Sequence, residues 1–169
     1  MTFFRIKKVK GKEYAYVVEN RWKRVGSRQK VKAYLGRAYR FDFKNDVDFL
    51  HFVKTENYKA YLNSRDENNI VRDLIEWEFL KHNINSQEFK VDLSDTRVKK
   101  GERNIVLLLN DGFMCNLTLK NLLDFKANGD EEDDGYRFAR AFVEAGIKVP
   151  HEIFIGLFGK LYKDKSSFH

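Results

Sequence analysis

The sequence of 169 residues contains one proline, one cysteine and no long hydrophobic run. The single cysteine, Cys115, excludes an intramolecular disulfide and a zinc site built from several cysteines. No segment has the length and apolar character of a signal peptide or a membrane span. We therefore expect a cytoplasmic protein with no membrane partner.

Motifs that carry catalysis or hold cofactors are also missing. The four histidines are His51, His82, His151 and His169. None has an i,i+4 partner or a neighbouring cysteine, so neither zinc nor iron is indicated. The chain has no glycine-rich phosphate loop and no nucleophile elbow. We expect no cofactor, no metal ion and no catalytic residue, and a binding protein rather than an enzyme.

Aromatic residues, by contrast, are abundant. They make up 15% of the chain, and hydrophobic residues make up 43%, which is typical of a folded protein with a core. The pattern predicts an α+β fold with a basic N-terminal three-stranded antiparallel meander, a helical pair, a small second β-hairpin sheet and a C-terminal helical hairpin. We divide it into a basic β-meander, 1–44, and a mixed helical and β part, 45–169, which can pack as one unit.

Three strands are predicted near the N-terminus. Apolar and polar residues alternate over 3–9 and 13–18, with Gly11 in the tight turn between them. A third run, 28–35, follows a looser turn and is expected to stop at Gly36. In this third strand the side chains of Gln29, Val31, Ala33 and Leu35 are expected to face inward, and those of Arg28, Lys30 and Lys32 outward.

Positive charge is concentrated in this meander. Residues 1–40 contain thirteen Lys and Arg residues against Glu13 and Glu19, a formal charge of +11, whereas the whole chain carries +7. One sign of charge at this density repels itself unless a polyanion is bound. Phosphate neutralisation supplies much of the affinity of proteins for nucleic acids. The charge distribution therefore predicts a nucleic-acid-binding surface on the N-terminal sheet.

A two-stranded ribbon or a small sheet fits the major groove of B-form DNA, and exposed aromatic residues can stack on unpaired bases. The alternative is an ordinary sheet with a solvated lysine-rich face, because edge lysines also prevent aggregation between sheets. The predicted nucleic-acid contacts are Arg5, Lys7, Lys10, Lys12, Arg21, Trp22, Lys23, Arg24, Arg28, Lys30 and Lys32.

One short sequence pattern covers the same segment, about residues 3–37. Its positions are Lys8, Gly11, Tyr14, Tyr16, Val18, Glu19, Arg28, Gln29, Tyr34, Leu35 and Gly36. This pattern resembles the N-terminal hairpin region of DDE-class insertion-sequence transposases, and the resemblance implies DNA contact outside a catalytic domain, so DNA is favoured over RNA. The remaining chain is too short for the catalytic domain of those enzymes, and transposition chemistry is not implied.

Helices and short strands are predicted for the rest of the chain. A helix over 46–62, with a break near 55–57, precedes a second helix over 65–82 that Ser64 caps. On the second helix Glu76, Glu78 and Lys81 are expected to form a solvated face with i,i+3 ion pairing. Further strands are expected at 89–93, 96–99, 104–109 and 113–117, with the turn Asn110-Asp111-Gly112 before the last, and further helices at 119–126 (capped by Thr118), 136–145 and 151–162.

Five consecutive carboxylates at 130–134 lack the alternate spacing of a calcium loop, and we interpret them as residues that stabilise the N-terminus of the following helix.

An adaptor module is the second functional hypothesis. Its apolar helices and acidic loop would then engage a protein partner or a second copy of the chain. A small metal-dependent nuclease is the third, since a few carboxylates and a lysine suffice for one.

Overall fold

The meander is present and forms one side of an α+β fold. The structure is a computed structural model that describes the backbone of residues 2–166 and the side chains of residues 2–162. The elements are β1 (Thr2–Val9), β2 (Lys12–Lys23), β3 (Gly26–Arg40), α1 (Phe49–Phe52), α2 (Tyr58–Ser64), α3 (Glu67–Lys81), β4 (Phe89–Asp92), β5 (Arg97–Lys100), β6 (Arg103–Leu109), β7 (Gly112–Met114), α4 (Asn116–Leu123), α5 (Glu131–Glu144) and α6 (His151–Ser166).

The third strand is longer than the sequence predicted. β1, β2 and β3 form the expected antiparallel meander. The predicted stop at Gly36 is wrong, because β3 passes through this residue and continues to Arg40. Gly36 has a φ of +126°. Only glycine adopts that backbone conformation easily, so the residue changes the course of the strand without ending it.

The later strands do not form a second sheet. β6 and β7 form the predicted hairpin, in which Asn110 and Asp111 both have positive φ. The part of β3 after Gly36 pairs with β6 in parallel, with Arg37 opposite Ile105 and Arg40 opposite Leu108. This pairing joins all seven strands in the order β1-β2-β3-β6-β5-β4, with β7 beside β6. Nothing local in residues 103–109 identifies this distant partner strand.

The sheet is strongly curved. Phe4 of β1 and Phe113 of β7 stack with their ring centroids 4.7 Å apart. Four strand-to-strand steps separate β1 from β7, which in a flat sheet would place them about 19 Å apart. The curvature encloses a small core on one face of the sheet, made of Ala15, Leu35, Ala38, Val106, Leu108 and Cys115.

The large core lies on the other face of the sheet, under the helices. Side chains alternate along β6, so that Ile105, Leu107 and Leu109 enter this core while Val106 and Leu108 enter the small one. α5 and α6 contribute Phe138 and Phe154, whose ring centroids are 5.5 Å apart. The helices thus cover the sheet around β6 and leave the far part of the meander without a covering layer.

Four helix starts differ from the prediction. The first helix, α1, begins at Phe49 after the N-cap Asp48 and not at residue 46. Asp66 rather than Ser64 caps α3, because its carboxylate accepts the backbone N–H of Asn69 at 2.8 Å. Cys115 rather than Thr118 precedes α4. Asp130 caps α5, and the other four carboxylates lie in the first turn, where they complement the helix dipole. The predicted break at 55–57 is present between α1 and α2.

The side chain of Glu78 is buried, not solvated as predicted, and it links three segments. Its carboxylate accepts hydrogen bonds from Lys81 Nζ at 3.0 Å, from Asn110 Nδ2 at 2.9 Å and from the backbone N–H of Lys148 at 2.9 Å. A buried carboxylate is tolerated only with such partners. Because the partners lie on α3, in the β6–β7 turn and before α6, Glu78 fixes the helical layer to the sheet.

Gly36→Ala should destabilise the protein more than the same change at Gly26. A Cβ at Gly36 would overlap the carbonyl oxygen of Asn104 and lie 3.2 Å from Cα of Ile105, whereas a Cβ at Gly26 has open space. Both glycines have positive φ, so the difference isolates the close approach of β3 to β6. We expect Gly36→Ala to lower the free energy of unfolding by about 2 kcal/mol more than Gly26→Ala in urea denaturation. Equal losses would contradict the strand pairing.

Candidate nucleic-acid interface

The ends of β2 and β3 form an arm, residues 19–32, whose outer part at 20–29 is a two-stranded ribbon beyond the end of β1. Val18, at the base of the arm, is 1% exposed. Residues 21–34 are all exposed. The five residue steps from Val18 to Lys23 span about 17 Å. The expected burial of Gln29, Val31 and Ala33 is therefore wrong, because no layer covers either face of the ribbon at these residues.

The two faces of the arm differ in charge. In an antiparallel ribbon, residues directly opposite each other share a face. Arg21 lies opposite Arg28 and Glu19 opposite Lys30, which makes one face basic. The other face carries the neutral pairs Asn20 with Gln29 and Trp22 with Ser27. The basic face holds Arg21, Lys23, Arg28, Lys30 and Lys32.

Glu19 is the one carboxylate of the arm, and it lies on the basic face. It pairs with Arg21 Nε and with Lys32 Nζ, each at 3.3 Å. The hydrogen bond from Lys32, with a smaller contribution from Arg21, lowers the pKa of Glu19 below its ordinary value. Arg28 and Lys30 have no carboxylate within ion-pair distance among the described residues, so their charges are available to a ligand.

The tip of the arm exposes apolar surface. Trp22 is 85% exposed and Val25 is 100% exposed. Arg24 stands between Lys23 and Val25 in the turn. Single exposed apolar side chains are ordinary on protein surfaces, and several others are exposed among the described residues, so these two do not define a binding site by themselves.

All eleven predicted contact residues are exposed, but they do not form a single patch. Seven lie on the arm, whereas Lys10 and Lys12 lie in or beside the β1–β2 turn at the opposite end of β2. Arg5 and Lys7 lie between these two ends on β1, and the Arg5 guanidinium donates to the Gln29 side chain. The basic residues therefore extend along the length of the hairpin.

Three tyrosines lie close together on the meander, on the face opposite the small core. Tyr34 lies between Tyr16 and Tyr14, with ring centroids 5.2 Å and 6.5 Å away. Lys7 Nζ lies 5.3 Å from the centre of the Tyr16 ring. Tyr34 is 58% exposed, which leaves much of its ring open to solvent. We call these three tyrosines the tyrosine face.

One end of the tyrosine face continues into a cleft of about 870 Å³ between β3 and the β5–β6 turn. Lys12 reaches this cleft, together with three cations that are not among the predicted contacts: Arg37, Lys100 and Arg103. Lys100 and Arg103 are about 90 residues away from Lys12 in the chain. No local signal could have grouped them, because only the pairing of β3 with β6 brings them together.

The described residues contain no cluster of three or more His, Cys, Asp or Glu side chains that could hold a metal ion. Within residues 2–166, none of the helices combines the length and apolar character that crossing a membrane requires.

Comparison with protein-family models, with curated proteins and with solved structures found no match to this chain. The resemblance of residues 3–37 to transposases stays a prediction.

Lys32→Met should raise the pKa of Glu19 towards the ordinary glutamate value of about 4.3, because Lys32 provides the largest stabilisation of the carboxylate. Lys30→Met is the matched control, since Lys30 lies directly opposite Glu19 but does not form its ion pair. Carbon-detected NMR titration of the Glu19 carboxyl measures both. A larger shift from Lys30→Met would show that the arm is arranged differently.

Proposed function

We propose that this chain is a non-catalytic nucleic-acid-binding protein whose N-terminal basic sheet contacts duplex DNA. The observation that carries the proposal is the arm, which projects about 17 Å beyond the covered sheet and carries six cations, Arg21, Lys23, Arg24, Arg28, Lys30 and Lys32, against Glu19 alone. An uncovered ribbon with this charge gains stability from a polyanion that neutralises it.

The shape of the arm favours DNA over RNA. A two-stranded β-ribbon fits the major groove of B-form DNA, which is about 12 Å wide. The major groove of A-form RNA is too narrow for side chains to reach the bases. Arg21 and Arg28 lie opposite each other on the basic face, where they can contact phosphates on the two sides of the groove.

Charge reversal of the arm should weaken duplex binding strongly. In the variant Arg28→Glu/Lys30→Glu/Lys32→Glu, we expect the affinity for a DNA duplex to fall about 100-fold at moderate salt. The slope of log affinity against log salt should decrease by about 2.7, since each phosphate contact contributes about 0.9. Fluorescence anisotropy of labelled duplex DNA over a salt series measures both quantities.

The matched control reverses three exposed lysines outside the meander, Lys59, Lys90 and Lys120. It changes the net charge by the same amount, so a local contact on the arm predicts a much smaller loss. Equal losses of duplex affinity in the two variants would show that the effect comes from net charge alone. The assignment of the arm as the DNA contact would then be wrong. Shallow, weak binding of wild-type protein to every nucleic acid would overturn the proposed function and favour the adaptor hypothesis.

Trp22 should report directly on contact with the tip. The chain has two tryptophans, and Trp77 is 9% exposed with its indole N–H donating to the carbonyl of Val47 at 2.8 Å. Fluorescence quenching by acrylamide therefore comes mainly from Trp22. We expect bound duplex DNA to reduce this quenching several-fold in wild-type protein. In the Trp22→Phe variant, DNA should leave the quenching of the remaining tryptophan unchanged. Unaltered quenching in the wild-type complex would place the DNA away from the tip.

A further inference from the structure

The cleft described above lies beside the base of the arm and opens next to the tyrosine face. Its volume of about 870 Å³ falls within the range of small-ligand sites. The residues that line it include four cations and three tyrosines and no carboxylate. A concave, basic and aromatic surface of this kind matches a ligand that has both a negative group and a flat ring.

The cations of the cleft are unequally available. Lys100 Nζ is paired with Glu88 at 2.8 Å and lies 4.9 Å from the Tyr39 ring centre. The Arg37 guanidinium lies 4.8 Å from the same ring centre and has no carboxylate partner among the described residues. Arg103 and Lys12 are exposed and likewise form no ion pair with a described carboxylate. Lys12, Arg37 and Arg103 are therefore the cations left for an anionic ligand.

The tyrosines of the cleft also differ in whether a ligand can reach their rings. The Tyr39 ring is already occupied by the two cations near it. Tyr34 is 58% exposed at the edge of the cleft, where a second flat ring can stack on it. The amide side chains of Asn104 and Asn116 also line the cleft and can donate to or accept from the edge of a base.

We propose that this cleft binds an unpaired nucleotide, with the base stacked on Tyr34 and the phosphate held by Arg37 and Arg103. Lys12 adds a further positive charge at the rim. The inference rests on the proposed nucleic-acid binding and names the form of nucleic acid that this part of the surface recognises. A duplex on the arm with a single-stranded extension over the tyrosine face would occupy both parts of the surface.

The decisive comparison uses two labelled DNA ligands, a blunt duplex and the same duplex with a single-stranded thymidine overhang of about four nucleotides. We expect wild-type protein to bind the overhang ligand about tenfold more tightly, because one stacked base contributes about that factor. Tyr34→Ala should abolish the preference, because the ring on which the base stacks is lost. Tyr34→Phe should retain the preference, because the ring is kept.

Tyr136→Ala is the matched control, since Tyr136 is 69% exposed on α5, away from the cleft. It should leave the preference intact. Arg103→Gln should reduce the preference and its salt dependence, because a phosphate contact is lost. A free nucleoside monophosphate at millimolar concentration should compete with the overhang and not with the blunt duplex.

The outcomes separate the two proposals. Equal wild-type affinity for the two ligands, or a preference that survives Tyr34→Ala, would overturn the cleft assignment while the arm variants still test duplex binding. If the blunt duplex does not bind and a thymidine oligonucleotide does, with dependence on Tyr34, the cleft assignment stands and the duplex contact by the arm is wrong.

Discussion

The parallel pairing of β3 with β6 is the constraint on which the rest of the structure depends. Parallel strands need a long crossover, and here the crossover contains α1, α2, α3, β4 and β5. The pairing requires the backbone of β3 at Gly36 to approach Asn104 so closely that no side chain fits between them. Through this contact the basic meander is held against the helical layer, and β6 is buried on both faces.

The same pairing explains why the meander has two parts with different character. Where β3 lies beside β6, its residues reach the cores, as Leu35 and Ala38 do. Where β3 extends past β6, at residues 26–34, it has only β2 as a neighbour and no covering layer. A two-stranded ribbon without a covering layer is only marginally stable in water, so the arm depends for its stability on the part of the sheet that packs against the cores. The cleft forms at the junction of these two parts.

Much of the local structure could be predicted from the sequence. The alternation over 3–9 and 13–18 and the turn Asn110-Asp111-Gly112 each encode their conformation within a few residues, and the two strands and the turn are present as predicted. The predicted strand at 104–109 is present as β6, and its apolar run is buried on both faces of the sheet. Positions that depend on a distant partner are not predictable in this way. The sequence predicts Gly36 as a strand end and Glu78 as a surface residue, and both predictions are wrong, because the contacts with Asn104 and Lys148 join segments that are far apart in the chain.

The sequence by itself determined the α+β class, the meander and the concentration of positive charge at the N-terminal end, since each depends on local periodicity or composition. Only the tertiary structure decided where that charge is exposed. Part of it lies on an uncovered arm with one basic face, and part lies in a cleft that is lined by Lys12, Arg37, Lys100 and Arg103. The physical reason is that exposure and proximity depend on which strands become neighbours. The backbone contact between β3 and β6 determines which strands become neighbours, and the sequence of neither segment alone indicates this contact.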